Sequence, residues 1–287
     1  MRSARPQSRS RWLDGAVLAL AAAALLALAG CGTRVEVRTV TISSQTHLPT
    51  NGAFGIAPVV ARPGAPIGCV PHGPLYTEVV TRPTRVVALT FDDGPSEFTH
   101  QVLDVLEREQ VHATFFVIGD QVTDYPGQLR RALRDGDMIG DHTWTHPDML
   151  TLPIDQALPQ LELTMQAIQA ATGFTPCFWR APYGSINTSL EYVARSLGML
   201  SIQWEVDPQD FTVPAASAIV HRVIFGNPHN PDHGVHPGAI VLMHDGGGFR
   251  GNTVKALPKT IETLKARGYS FLTIPELLGI PVRRRPT

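Results

Sequence analysis

The chain has 287 residues, 43% of them hydrophobic and 17% charged, with a formal net charge of −1 at neutral pH. That length can bury the core of one large or two modest domains, and the apolar fraction excludes a wholly disordered chain. The balanced charge argues against a nucleic-acid binder working through a basic face, and no run of 18 apolar residues exists to build a multi-span membrane protein.

Residues 1–30 read as a leader outside the fold. Arg2, Arg5, Arg9 and Arg11 precede a 14-residue run of mostly Ala and Leu, Ala16 to Ala29, too short to span a bilayer comfortably and flanked as a secretory signal is. The run ends in Leu28-Ala29-Gly30-Cys31, which resembles the lipobox of bacterial lipoproteins. The resemblance implies cleavage before Cys31, a lipid on its thiol, and an exported chain anchored on the extracytoplasmic side of a membrane. The other reading is an ordinary export signal with an incidental Cys. Removing the leader takes away four Arg and one Asp and leaves a net charge of −4. Cys69 and Cys177 then remain, a candidate disulfide in an oxidising compartment and otherwise two buried thiols. From Gly32 to Thr84, seven Pro and six Gly predict an extended tether, so residues 31–84 are read as a lipidated N-terminus and spacer.

Past Arg85 the texture changes. Val86 to Phe91 is the near-continuous apolar run of a parallel strand buried on both faces. Residues 98–109 then place Val102, Leu103, Val105 and Leu106 on one helical side. A strand over 113–118, a helix near 128–134, a short strand at 138–139 and an amphipathic helix over 154–171 follow. Next come a strand at 178–179 and a helix over 187–197 stopped by Gly198. Strands at 200–204, 239–243 and 269–272 alternate with helices near 214–224 and 253–267. This alternation defines an α/β fold with a parallel sheet, and six or seven such units in about 195 residues suit a small barrel. The reading is one catalytic domain over 85–280, followed by a basic tail, 281–287.

Asp92-Asp93-Gly94-Pro95 closes the first buried strand, at the end where βα barrels carry their sites. Adjacent carboxylates repel each other, and keeping both ionised takes a nearby cation; a solvated Asp-Asp-Gly turn is the plain alternative. His142 and His146 also follow a short strand, and histidines four apart can point the same way on a helical turn. Exposed or structural histidines are the plain alternative there. With Asp93 they would offer two nitrogens and one oxygen and leave room for water, the pattern of a catalytic metal site.

These residues carry a resemblance. Thr90 to Pro95, His142 to His146, Arg180-Ala181-Pro182-Tyr183, Asp207-Pro208-Gln209-Asp210-Phe211 and Leu242-Met243-His244 follow the order of five motifs of the polysaccharide deacetylases. The chain resembles this family (the NodB homology domain, carbohydrate esterase family 4) over about residues 84–280. The resemblance implies a deformed (β/α) barrel of seven or eight parallel strands and metal-dependent removal of acetyl groups from sugar polymers. It implies Asp93, His142 and His146 as ligands of one divalent ion, zinc or cobalt, Asp92 as the base for the attacking water, and His244 as the acid for the leaving amine. The backbone N–H of Tyr183 would face the oxyanion, Arg180 would orient Asp92, and Asp210 would pair with His244 and raise its pKa. Asp207 would pair with Arg180 or cap a turn. Pro182, Tyr183, Phe211 and Leu242 would contact substrate, Phe211 standing where the family has Trp and so keeping an aromatic wall without the indole N–H.

Three features stay outside this set. Trp144, Trp204 and Phe249 are core or groove candidates. The 229–236 loop, with His229, His233 and His236, reads as exposed and polar. Gly246-Gly247-Gly248 lacks the phosphate-loop spacing and reads as slack at the barrel mouth. Together these residues describe an exported, lipid-anchored monomer acting on N-acetylglucosamine units of peptidoglycan or a chitin-like glycan. The alternatives are a wall-binding lipoprotein with a dead site and an amide hydrolase of a small cyclic substrate on the same barrel.

Overall fold

The computed structural model describes Gly55 and residues 63–229 and 233–286. The leader, Cys31 and most of the proline-rich stretch lie outside the described residues, as do residues 230–232 of the histidine-rich loop. In chain order the elements begin with β1 (Pro66–Cys69), β2 (Tyr76–Thr77), β3 (Val86–Gly94) and α1 (Thr99–Glu109). Then come β4 (Thr114–Val117), α2 (Gly119–Asp124), α3 (Pro126–Asp135), β5 (Met138–Asp141) and α4 (Ile154–Thr172). β6 (Phe178–Trp179), α5 (Thr188–Ser196), β7 (Leu200–Ile202), α6 (Ala216–Phe225) and β8 (Ile240–His244) follow. The chain finishes with α7 (Gly251–Ala266), β9 (Ser270–Phe271), α8 (Ile274–Leu278) and β10 (Val282–Arg284).

Seven strands form a curled parallel sheet in the order β2-β7-β6-β5-β4-β3-β8, a half-barrel with β9 added beside the start of β3. The long strand β3 sits between β4 and β8 because its residues are apolar on both faces: Val87, Ala88, Leu89 and Phe91 are fully buried. Each such Leu or Phe contributes about 1.5–3 kcal/mol on burial. The curl brings its far end back to β8. Past β7, Val206 bridges Val241, and Glu205 and Val206 donate to the Ile240 carbonyl. Helix α1 turns Val102, Leu103, Val105 and Leu106 into the core, as its spacing requires. No helix among the described residues is long and apolar enough to cross a membrane.

Two stretches differ from the sequence reading. Residues 66–84 are not tether: β1 pairs antiparallel with β10, and β2 adds a parallel edge to β7. The last residues are likewise not a free basic tail but the β10 half of that pair. Cys69 in β1 is bonded to Cys177, just ahead of β6, with Cα atoms 5.5 Å apart, which ties the N-terminal strand to the sheet. Such two- to four-residue strands, paired with partners more than 100 residues away, carry no periodicity of their own to betray them.

Candidate active site

The ends of four strands supply the site. Asp92 and His244 lie opposite each other in the β3–β8 register, and the N–H of Arg180, following β6, bonds the carbonyl of Asp141 at the end of β5. At Asp93 the backbone turns to φ 70°, so the two neighbouring carboxylates part company and serve different partners.

Asp92 is buried and belongs to Arg180. Nη1 of that guanidinium donates to Asp92 Oδ1 at 2.7 Å and to Thr90 Oγ1 at 2.8 Å. Nε and Nη2 donate to the carbonyls of Ile202 and Gln203 at 3.0 and 3.1 Å, and the Phe116 ring lies 4.1 Å below. Arg180 is itself fully buried, so its plane, donors and charge are all fixed, and with them the orientation of Asp92.

Asp93, His142 and His146 converge. His142 Nδ1 lies 2.8 Å from the Arg180 carbonyl, which can only accept, so Nδ1 carries the proton and Nε2 keeps its lone pair. Nε2 of His142 and of His146 stand 3.5 and 3.1 Å from Asp93 Oδ1, a buried oxygen without a hydrogen-bond donor among the described residues. All three ligand atoms lie within 4.8 Å of one another. Burial works to raise the Asp93 carboxyl, whereas positive charge placed beside it, as by His142 and His146 when protonated, pulls it well below the usual carboxylate range. An orphaned carboxylate oxygen facing an imidazole lone pair calls for a cation, and two imidazoles with one carboxylate suit a borderline divalent ion.

The histidines do not meet on a helical turn. Residues 142–146 are a loop with φ 69° at Thr143 and 58° at His146, held because Asp141 Oδ1 accepts from the Thr143 N–H and Gln160 Oε1 from the N–H groups of Trp144 and Thr145. That loop brings the rings to 4.9 Å.

On the other side stands His244. Its Nδ1 is 2.7 Å from Asp210 Oδ1, while Asp210 Oδ2 accepts from the His244 N–H and from Thr253 Oγ1 at 2.9 and 2.7 Å. Burial alone would lower the His244 pKa; Asp210, helped by Asp92 and Asp93, reverses this and raises it to about 9. The imidazole is therefore cationic at neutral pH. Asp207 caps a turn, accepting from the Gln209 N–H at 2.7 Å, and its carboxyl has no bond to Arg180.

Of the residues read as substrate contacts, Tyr183 is 69% exposed and edge-on to His146 at 4.7 Å, and Phe211 is 47% exposed and edge-on to His244 at 5.5 Å. Tyr183 has φ 60°, and its turn is closed by the N–H groups of Gly184 and Ser185, which donate to the carbonyls of Ala181 and Pro182. Pro182 and Leu242 are buried. Trp144 and Trp204 are partly buried against the core, and in the histidine-rich loop His236 Nε2 contacts Glu205.

Of the three glycines after His244, Gly246 and Gly247 are packing and not slack. A Cβ at Gly246 would fall 1.9 Å from the Asp93 carbonyl oxygen, and one at Gly247 2.5 Å from Asp93 Oδ2. Arg250 secures them, donating to the carbonyls of Gly246 and Gly247. Buried Asp245 accepts from Thr99 Oγ1 at 2.5 Å and packs on Gly94; burial, with Asp93 and Asp92 nearby, lifts its pKa to about 7. Gln160, Asp245, Arg250 and Thr253 escaped the sequence reading. Only Asp245, next to His244, had a local signal.

A half-barrel thus carries at its strand ends a two-histidine, one-carboxylate cluster that could hold a metal ion, beside an aspartate-bound imidazole. The family model described as polysaccharide deacetylase matches residues 80–202. The chain is 36% identical over 207 residues to a chitooligosaccharide deacetylase of Bradyrhizobium, covering 68% of this chain and 91% of that one. It is 40% identical over 194 residues to the peptidoglycan-N-acetylglucosamine deacetylase PgdA of Listeria monocytogenes, covering 67% of this chain and only 39% of that relative's length. The crystal structure of the Bc1960 peptidoglycan N-acetylglucosamine deacetylase superposes with a TM-score of 0.66 at 33% identity, covering 71% of this chain and 92% of that one. The chain belongs to the polysaccharide deacetylase family.

Proposed function

We propose that this protein is a metal-dependent N-deacetylase of a polysaccharide built on N-acetylglucosamine. The observation that carries the reading is the pairing of two sites at the ends of neighbouring strands. One is Arg180-bound Asp92 beside the Asp93, His142 and His146 cluster; the other is Asp210-bound His244 on the neighbouring strand. A divalent ion held by that cluster, zinc or cobalt by its donor set, would supply a Lewis acid to the acetyl carbonyl and to a water.

The chain's own residues do the rest. Asp92 takes a proton from the attacking water, with Oδ1 fixed by Arg180 and Oδ2 turned toward His142. The backbone N–H of Tyr183, beside His146, donates to the oxyanion. His244, protonated at neutral pH, gives its Nε2 proton to the nitrogen as the carbon–nitrogen bond breaks, so acetate and a free amine leave.

Tyr183 and Phe211 stand exposed beside the two halves of the site, which suits a groove for a polymer better than a closed pocket for a small cyclic amide. The relatives named for peptidoglycan and for chitooligosaccharides make N-acetylglucosamine polymers the substrates to try first. Export and a lipid on Cys31 complete the proposal; the Cys69–Cys177 bond supports an oxidising compartment. The test is acetate release from N-acetylglucosamine oligomers and peptidoglycan by the metal-loaded protein beside Asp92→Asn. Release that falls by orders of magnitude in the variant is expected. No release from any glycan by protein carrying stoichiometric metal would overturn the reading.

A further inference from the structure

Phe249 is a large apolar side chain, 55% exposed, on a loop whose backbone is pinned. Arg250, itself buried, donates to the carbonyls of Gly246, Gly247 and Phe249 at 2.6, 3.0 and 3.2 Å. The Phe249 ring stands edge-on to Phe98 at 5.5 Å and 85°. Its tip lies over Gly251, where a Cβ would come within 2.5 Å of Cζ. Phe98 and the start of α7 thus brace the ring from within the fold, and more than half of its surface is left to solvent.

The place of that ring matters. Gly247, two residues earlier, packs on the Asp93 carboxylate, and two residues of chain reach at most about 7 Å, the scale of one sugar ring. Tyr183 adjoins His146 and Phe211 adjoins His244, and Phe249 adds a third exposed aromatic residue, two positions from the glycine that packs on Asp93. An aromatic face held immobile in water contributes little to the fold and is shaped for a partner with an apolar face.

We propose that Phe249, braced by Phe98, is a stacking platform for a sugar ring adjacent to the one that loses its acetyl group, and so sets the preference for chains over single sugars. The inference rests on the deacetylase reading above. A pyranose offers a C–H face to an aromatic ring, and losing that contact is expected to cost roughly two- to tenfold in affinity.

The experiment uses the metal-loaded full chain. For wild type, Phe249→Ala and Phe249→Trp, kcat/KM is measured on the N-acetylglucosamine pentamer and on 4-nitrophenyl acetate, which has no neighbouring sugar. The pentamer-to-ester ratio is expected to fall roughly two- to tenfold in Phe249→Ala, through KM, and to return in Phe249→Trp. An unchanged ratio overturns the proposal, whether both activities fall together or neither does. Pentamer binding is also titrated calorimetrically, with Asp92→Asn and with the Asp92→Asn, Phe249→Ala double variant. Weaker binding in the double variant, with no turnover by wild type, upholds the platform and overturns the deacetylase reading. Equal binding in the two, or none in either, overturns the platform.

Discussion

The pairing of His244 with Asp210 can be tested through the pH dependence of Asp210→Asn. Asp210 spreads three bonds over two oxygens: Oδ2 takes the His244 N–H and Thr253 Oγ1, and Oδ1 faces His244 Nδ1. An asparagine keeps the two-donor side satisfied by placing its oxygen there, which turns its NH2 toward His244 Nδ1. That nitrogen must then accept, so the proton moves to Nε2 on a neutral ring. With the anion gone, burial is left to lower a pKa that stands near 9 in the native site. A return merely to the ordinary 6.5 is a change worth about 3 kcal/mol. The sign is that of a raised histidine: the acid form is present below the folded pKa and lost as pH rises through it. Protonation alone should therefore cost roughly thirtyfold in kcat/KM at pH 8 and less than twofold at pH 6. The assay is acetate release across pH 5.5–9.5 in metal-loaded enzyme. A uniform loss at every pH, with the alkaline limb unmoved, would refute the reasoning and leave Asp210 a structural residue.

Asp93→Ala and His146→Ala should retain far less than one zinc per chain in equilibrium dialysis, whereas Asp92→Asn should retain a full equivalent; loss of metal in Asp92→Asn would erase the distinction between ligand and base. Gly247→Ala must force a Cβ against Asp93 Oδ2 from a backbone at φ +69°, so zinc affinity should fall at least about tenfold, measured by chelator competition, with the circular dichroism spectrum kept. Cys69→Ser with Cys177→Ser opens a link across 108 residues, and the chain-entropy account gives a loss approaching about 4.7 kcal/mol, read from urea midpoints; an unshifted midpoint would show that the bond constrains nothing.

What could be read in the sequence was what is local. The apolar run of β3 and the five motifs placed Asp92, Asp93, His142, His146, Arg180, Asp210 and His244 because strand ends and motif residues sit side by side in the chain. The geometry that makes them useful was not local. The four-residue spacing of the histidines suggested a helical turn, yet positive φ at Thr143 and His146, neither of them glycine, builds a loop that depends on Gln160 in α4. Gly246 and Gly247 looked like freedom and proved to be close approach, visible only once Asp93 lies against them. β1 and β10 each lack a partner within the window of any pattern, so a tether and a tail were the natural misreading.

The position of β3 has a consequence in time. It is the first long strand to be made, but one of its two main neighbours, β8, begins only at Ile240, long after β3 ends at Gly94. Through that interval a Val-Val-Ala-Leu-Thr-Phe edge has open hydrogen-bonding groups, the kind of edge that recruits another chain. Asp92, Asp93, His142, His146 and Arg180 are all present once Arg180 is made, whereas His244 arrives only with the strand that covers this edge. The arrival of β8 thus covers the open edge of β3 and sets His244 opposite Asp92 in one step.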